Sequence, residues 1–152
     1  MRSFTPPQIS TKGLIGAIDL VPSFRIDLEL EARSSERTVR GQRIHQRIIG
    51  GTISGPRLAG QVYANGGGEF GVIRADAVEE WFTRFMIKAA NGEWLYTHLV
   101  GYVRLDGYAR FQAVFDADMQ GPHSWLNESM FIGSVEQSES LERRAMTYFE
   151  VT

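Results

Sequence analysis

A chain of 152 residues suits one domain and is long enough to bury a core without staples. It contains no cysteine, which excludes a disulfide framework, a thiol nucleophile and a thiolate metal site, and which suits a reducing compartment. The net charge of −2 gives no electrostatic footing for nucleic acid, which demands a basic face.

The opening residues, MRSFTPPQIS, carry one Arg and two prolines with no apolar stretch behind them. No secretory signal is therefore expected, and no run has the length of a membrane span, so the expectation is a cytoplasmic protein without a membrane partner. Residues 1–152 are expected to form one domain, with 1–22 a partly irregular N-terminal segment. From Phe24 onward strand patterns dominate. Phe24, Ile26, Leu28, Leu30 and Ala32 alternate with Arg25, Asp27, Glu29 and Glu31, the mark of a strand with one buried and one wet face. The polar run from Ser34 to Gln42 reads as an exposed loop. Arg43 to Ile49 reads as a strand that Gly50-Gly51 punctuates, and Gly55-Pro56 as a turn. Leu58 to Ala64 and Phe70 to Ile73 read as further strands on either side of a glycine-rich loop, and Ala75 to Glu80 as one helical turn.

The clearest signal is a hairpin from Trp81 to Arg104 around Asn91-Gly92. A two-residue turn there sets Phe85 opposite His98 and Trp81 opposite Tyr102. It puts Phe82, Arg84 and Met86 on one face with Leu99, and Tyr96, His98 and Tyr102 on the other. Gly107 to Asp116 follows as a strand with Phe111, Ala113 and Phe115 on one side. Met130 to Val135 and Met146 to Val151 read as a closing pair, with Glu136 to Arg144 a polar, exposed connection between them. About eight or more short strands with almost no helix argue for an all-β sandwich or barrel, and closure into a barrel removes vulnerable edges.

Gly50-Gly51-Thr52-Ile53-Ser54-Gly55-Pro56-Arg57-Leu58-Ala59-Gly60 resembles the GGT-x-x-GP-x-L-x-G opening of the bacterial and fungal family of domain of unknown function 3237. Gly67-Gly68-Glu69-Phe70 is similar to its GG-x-D-W loop, and Arg74-Ala75-Asp76 to its R-x-D step. Arg84 is similar to the Arg of its D-x-R-Y strand, Asn91-Gly92 with Tyr96 to its DG-x-x-x-Y hairpin, and Trp125-Leu126-Asn127 with Phe131-Ile132-Gly133 to its W-L-N…F-x-G segment. The resemblance implies a single small closed antiparallel barrel, calycin-like or allene-oxide-cyclase-like, and leaves function open. The chain departs from the pattern at Phe82 and Glu69, where the family often has Asp, and at Leu99, where it often has Asn.

Nine Phe, five Tyr and three Trp can fill a core or line a ligand cavity, and a barrel interior does both. The candidate catalytic residues are Arg84, Glu69 and His98. Arg84 among apolar neighbours is either a snorkelling surface residue or an anchor for developing negative charge, which Glu69 or Asp116 would hold in place. His98 is either structural or a general acid or base. Glu69, after three glycines, is a solvated loop carboxylate or a proton carrier. Tyr96, Trp125, Asn127, Phe82 and Tyr102 are the candidate substrate-binding residues, and Trp125 and Asn127 can equally close the barrel end. His45, His98 and His123 lack metal-ligand spacing, and Gly66-Gly67-Gly68 lacks the lysine of a phosphate loop, so no metal or other cofactor is expected.

The reading is a cofactor-independent lyase, isomerase or cyclase acting on a small hydrophobic, aromatic or polyketide-like molecule. A non-catalytic binder of the same molecule and a structural or oligomerisation module are the alternatives. A homodimer is expected.

Overall fold

The structure, a computed structural model, describes residues 17–152. Residues 1–16 of the expected N-terminal segment lie outside the described residues, and Leu20–Pro22, expected to be irregular, already belong to a strand.

The strands are β1 (Leu20–Leu30), β2 (Ser34–Thr38), β3 (Gly41–Ser54), β4 (Gly60–Val62), β5 (Gly68–Glu69), β6 (Val72–Ile73), β7 (Glu79–Ala89), β8 (Trp94–Val103), β9 (Ala109–Asp116), β10 (Met130–Val135) and β11 (Arg143–Val151). They run β1-β11-β10-β9-β8-β7, then through the three short pieces β4, β5 and β6 to β3, and β3 pairs back onto β1. The result is a closed antiparallel barrel of eight strands, with β4 to β6 together filling one strand position. Closure leaves the barrel proper without an edge.

The period-2 pattern explains the interior. Phe24, Ile26, Leu28 and Leu30 of β1, Phe85 and Ile87 of β7, Leu95 and Leu99 of β8, and Phe111 and Phe115 of β9 all point inward and are buried. Each such side chain contributes about 1.5–3 kcal/mol relative to exposure. One end of the lumen is filled. Phe24, Phe115, Phe131 and Tyr148 pack ring to ring at 4.8 to 5.9 Å, and a single 3-10 turn (Ser124–Asn127) adds Leu126 to the same core. Gly133 on β10 makes room for this packing: a Cβ there would lie 2.1 Å from Phe111 Cζ.

Four local expectations are corrected. Ser34 to Gln42 is a hairpin from β2 into β3 rather than a loop, and all five residues of β2 are exposed, so no alternation marks it. β3 continues through Gly50-Gly51, with a register shift against β1 that leaves Ile49 out of the pairing. Ala75 to Glu80 is a turn entering β7 rather than helix. The Asn91-Gly92 turn spans three residues, with Ala89 N–H donating to Glu93 C=O and Gly92 at φ 88°. That one extra residue slides the register, so that Arg84 faces His98, Phe85 faces Thr97 and Ile87 faces Leu95. A slip of one residue exchanges the faces of one strand against the other.

Candidate active site at the open mouth

The end opposite the aromatic plug is polar. It is formed by the start of β7, the ends of β8 and β10, the start of β11 and the strap 136–142 that joins β10 to β11. A cavity of about 420 Å³ opens there, lined among others by Arg33, Glu79, Trp81, Val135, Leu141 and Arg144. That volume falls within the range of about 300–1,000 Å³ typical of small-molecule sites.

Arg144 is the centre of the site. It continues the inward alternation of Met146 and Tyr148 on β11 and is 5% exposed. Its guanidinium carbon sits 3.7 Å from the centre of the Trp81 ring. Its Nη1 donates to Thr83 Oγ1 at 3.2 Å and lies 3.8 Å from Glu69 Oε2. Thr83 in turn donates its hydroxyl proton to Glu69 Oε2. β5 pairs with β7 so that Glu69 stands beside Thr83, which places the carboxyl inside the barrel with no solvent exposure. Two buried polar atoms in this interior have no hydrogen-bond partner: Glu69 Oε1 and the Tyr148 hydroxyl. Apart from the Thr83 bond, no hydrogen bond from the Arg144 guanidinium to the protein is found among the described residues, although the residue lines the cavity.

The wall beside Arg144 is braced. Glu79 accepts from Arg33 Nη2 and from Trp81 Nε1, each at 2.7 Å, which fixes the indole on which the guanidinium rests. Gln46 donates to the Glu31 carbonyl at 3.0 Å and to the Leu141 carbonyl at 2.7 Å, tying the strap to the barrel. Arg25 pairs with Glu136 at the strap's other end.

Burial sets the electrostatics. Loss of solvation pushes the Glu69 carboxyl above its ordinary range, against the nearby Arg144 charge and the Thr83 hydrogen bond, which pull it down. Burial lowers the Arg144 guanidinium, opposed by Glu69 and Glu79, and raises the Tyr148 phenol. An arginine stays charged at neutral pH even so. The arrangement is therefore a buried cation with free donors facing a cavity and a proton-accepting carboxyl behind it. Such a site can hold an oxyanion and exchange a proton with it. Among the described residues no group of three His, Asp or Glu side chains is arranged to hold a metal ion.

Of the residues singled out in the sequence, the structure brings only Glu69 into this site. Arg84 and His98 lie on the same face of the β7–β8 ribbon, not on opposite faces, and that face is outside. Phe82, Tyr96 and Tyr102 share it. Arg84 is exposed and packs over the Phe82 ring at 5.0 Å; neither Glu69, which is inside the barrel, nor Asp116 holds it. Trp125 packs on Phe131 under the Arg57 guanidinium, and Asn127 ties down Ala117 through its N–H and C=O at 2.7 and 3.0 Å. Both residues close the filled end. The polar neighbours of Arg144 make the sequence read there as an exposed connection, which the buried guanidinium corrects. Its place two residues before Met146 and four before Tyr148 was the available signal.

Several solved structures share the fold. A protein of unknown function from Clostridium acetobutylicum superposes with a TM-score of 0.81 at 19% identity, covering 91% of this chain and 99% of the other. A β-barrel-like protein from Acinetobacter baumannii gives 0.78 at 19% identity over 99% and 100% of the two chains. An enzyme from Penicillium herquei gives 0.71 at 16% identity over 95% and 100%. No curated protein matches the chain. A family model described as a protein of unknown function, DUF3237, matches residues 18–108, well over half of the sequence, and the chain belongs to that family.

Proposed function

We propose that this chain is a cofactor-independent enzyme of the lyase, isomerase or cyclase type, acting in the mouth cavity on a small, largely apolar molecule that carries or develops an oxyanion. The observation that carries the reading is Arg144: a buried guanidinium, stacked on Trp81, with donors left over at a cavity. The oxyanion would sit on those donors, where low dielectric strengthens the attraction. Glu69 would receive the proton that the substrate gives up, since its carboxyl lies 3.8 Å from Arg144 and burial favours its protonated form. Trp81, Val135 and Leu141 supply apolar surface for the body of the substrate. In this reading Arg144 takes the charge-stabilising role that the sequence suggested for Arg84.

A non-catalytic binder would need Arg144 and the cavity but not Glu69. Native mass spectrometry of the purified protein identifies a co-purifying small molecule, which is then offered back to ligand-free protein. Conversion of that molecule by wild type and loss of conversion in Glu69→Gln support the enzyme. Binding with no conversion leaves the binder. Binding unaffected by Arg144→Met overturns both.

A further inference from the structure

We infer that the mouth cavity takes its organic anion only together with a proton, and that this proton resides on Glu69 Oε1. The inference rests on the reading of Arg144 as the anion anchor and adds the form in which the ligand is held. Two negative groups, the ligand and Glu69, would share one buried cation, because Glu69 Oε2 is already 3.8 Å from Arg144 Nη1. Holding both as anions around one guanidinium in a dry interior is costly, and protonating one of them removes the conflict.

The hydrogen bonds say where the proton goes. Arg144 donates to Thr83, and Thr83 donates to Glu69 Oε2, so Oε2 is committed as an acceptor. Oε1 is buried and has no partner, which makes it the free position for a proton. The charges around Glu69 on every neighbouring element do not change this. Glu79 on β7, although paired with Arg33, still pushes the Glu69 carboxyl up, Gln46 on β3 is uncharged, and Tyr148 on β11 is held as a neutral phenol by burial. Among the described residues Arg144 is the cavity-lining cation that lies 3.8 Å from Glu69; Arg33, Arg143, Glu136 and Glu139 also line the cavity, and Arg33 and Glu136 are paired with Glu79 and Arg25.

The ligand class follows. The site binds organic anions together with one proton, and phenols and enolisable carbonyl compounds, still protonated near neutral pH, bring that proton themselves. For such an acid the bond from its oxygen or carbon to hydrogen breaks, the electron pair stays as the anion on Arg144, and the proton forms the new O–H bond on Glu69. Groups already ionised at the working pH, carboxylates and sulfonates alike, gain the same Arg144 contact and draw the proton from solvent.

The test uses benzoate and 2-naphthoate, which are ionised throughout the range from about pH 6 to about pH 10. Calorimetric affinity in wild type is expected to fall with rising pH, by up to about tenfold per pH unit, wherever free Glu69 is ionised. Glu69→Gln is expected to bind with no such fall. At the upper pH, titrations in buffers of different ionisation heat should report about one proton taken up per anion by wild type, a measurement that needs no variant. Binding with the same pH profile in both proteins, or with no proton uptake anywhere in the range, overturns the inference and leaves the anchor intact. No binding of either acid at any pH overturns the Arg144 anchor, and the inference falls with it.

Discussion

Replacing Arg144 by Met keeps an unbranched side chain and removes the charge. Glu69 then remains inside the barrel with the Thr83 hydroxyl and the Phe82 backbone N–H left to oppose its desolvation. If Glu69 stays ionised, breaking the buried pair costs about 3–5 kcal/mol. If it takes up a proton, the loss shrinks to the guanidinium stack on Trp81, about 2 kcal/mol for a desolvated pair. The pH decides which applies. Burial raises the folded-state carboxyl of Glu69 above its unfolded value of about 4.3, so its stabilising contribution is full below that value and is lost as pH rises toward the folded value. Arg144 opposes that shift in wild type. Without it the folded value climbs, and the loss of stability continues to higher pH, at up to about 1.4 kcal/mol per pH unit. Urea denaturation at about pH 5 and about pH 8 measures this. The gap between wild type and Arg144→Met should widen by one to a few kcal/mol from the lower to the higher pH, and the double variant Arg144→Met/Glu69→Gln should close most of the widening. A gap that narrows with pH, or one that the second substitution leaves unchanged, refutes the buried-pair argument.

Gly133→Ala should destabilise by about 1–3 kcal/mol, read from the urea midpoint, because the new methyl meets Phe111 and the Thr147 carbonyl. Gly92→Ala should cost about 1 kcal/mol in the same assay, since its φ of 88° disfavours a side chain although the space around it is open. His98→Gln, on the outer face, should change stability by less than about 0.5 kcal/mol. Light scattering is expected to give a dimer mass, and a monomer mass across a wide concentration range would refute that assembly.

The barrel was legible because period-2 alternation in β1 and β9 is strong and each inward side chain is apolar. β2 was not, because a strand exposed on both faces carries no periodicity. The hairpin was placed correctly and its register was not. A two-residue and a three-residue turn share the same Asn-Gly signal, and the difference moved Arg84 and His98 to the same outer face. The glycines before Glu69 mark it as a candidate in the sequence. Its burial was not legible, since only the pairing of β5 with β7 puts it beside Thr83. Arg144 was hidden by the polar run Glu136 to Arg143 in front of it. A charged residue that continues an inward apolar alternation is the pattern that reveals such a site.

The central claim is that an organic anion binds inside the mouth at Arg144 and not on the outer face at Arg84. Calorimetric titration of 2-naphthoate at about pH 6 into Arg144→Met and Arg84→Met tests it side by side. At least about tenfold weaker binding, about 1.4 kcal/mol, is expected in Arg144→Met, with wild-type affinity in Arg84→Met. Wild-type affinity in Arg144→Met with loss in Arg84→Met would contradict it and move the site to the outer face of β7 and β8.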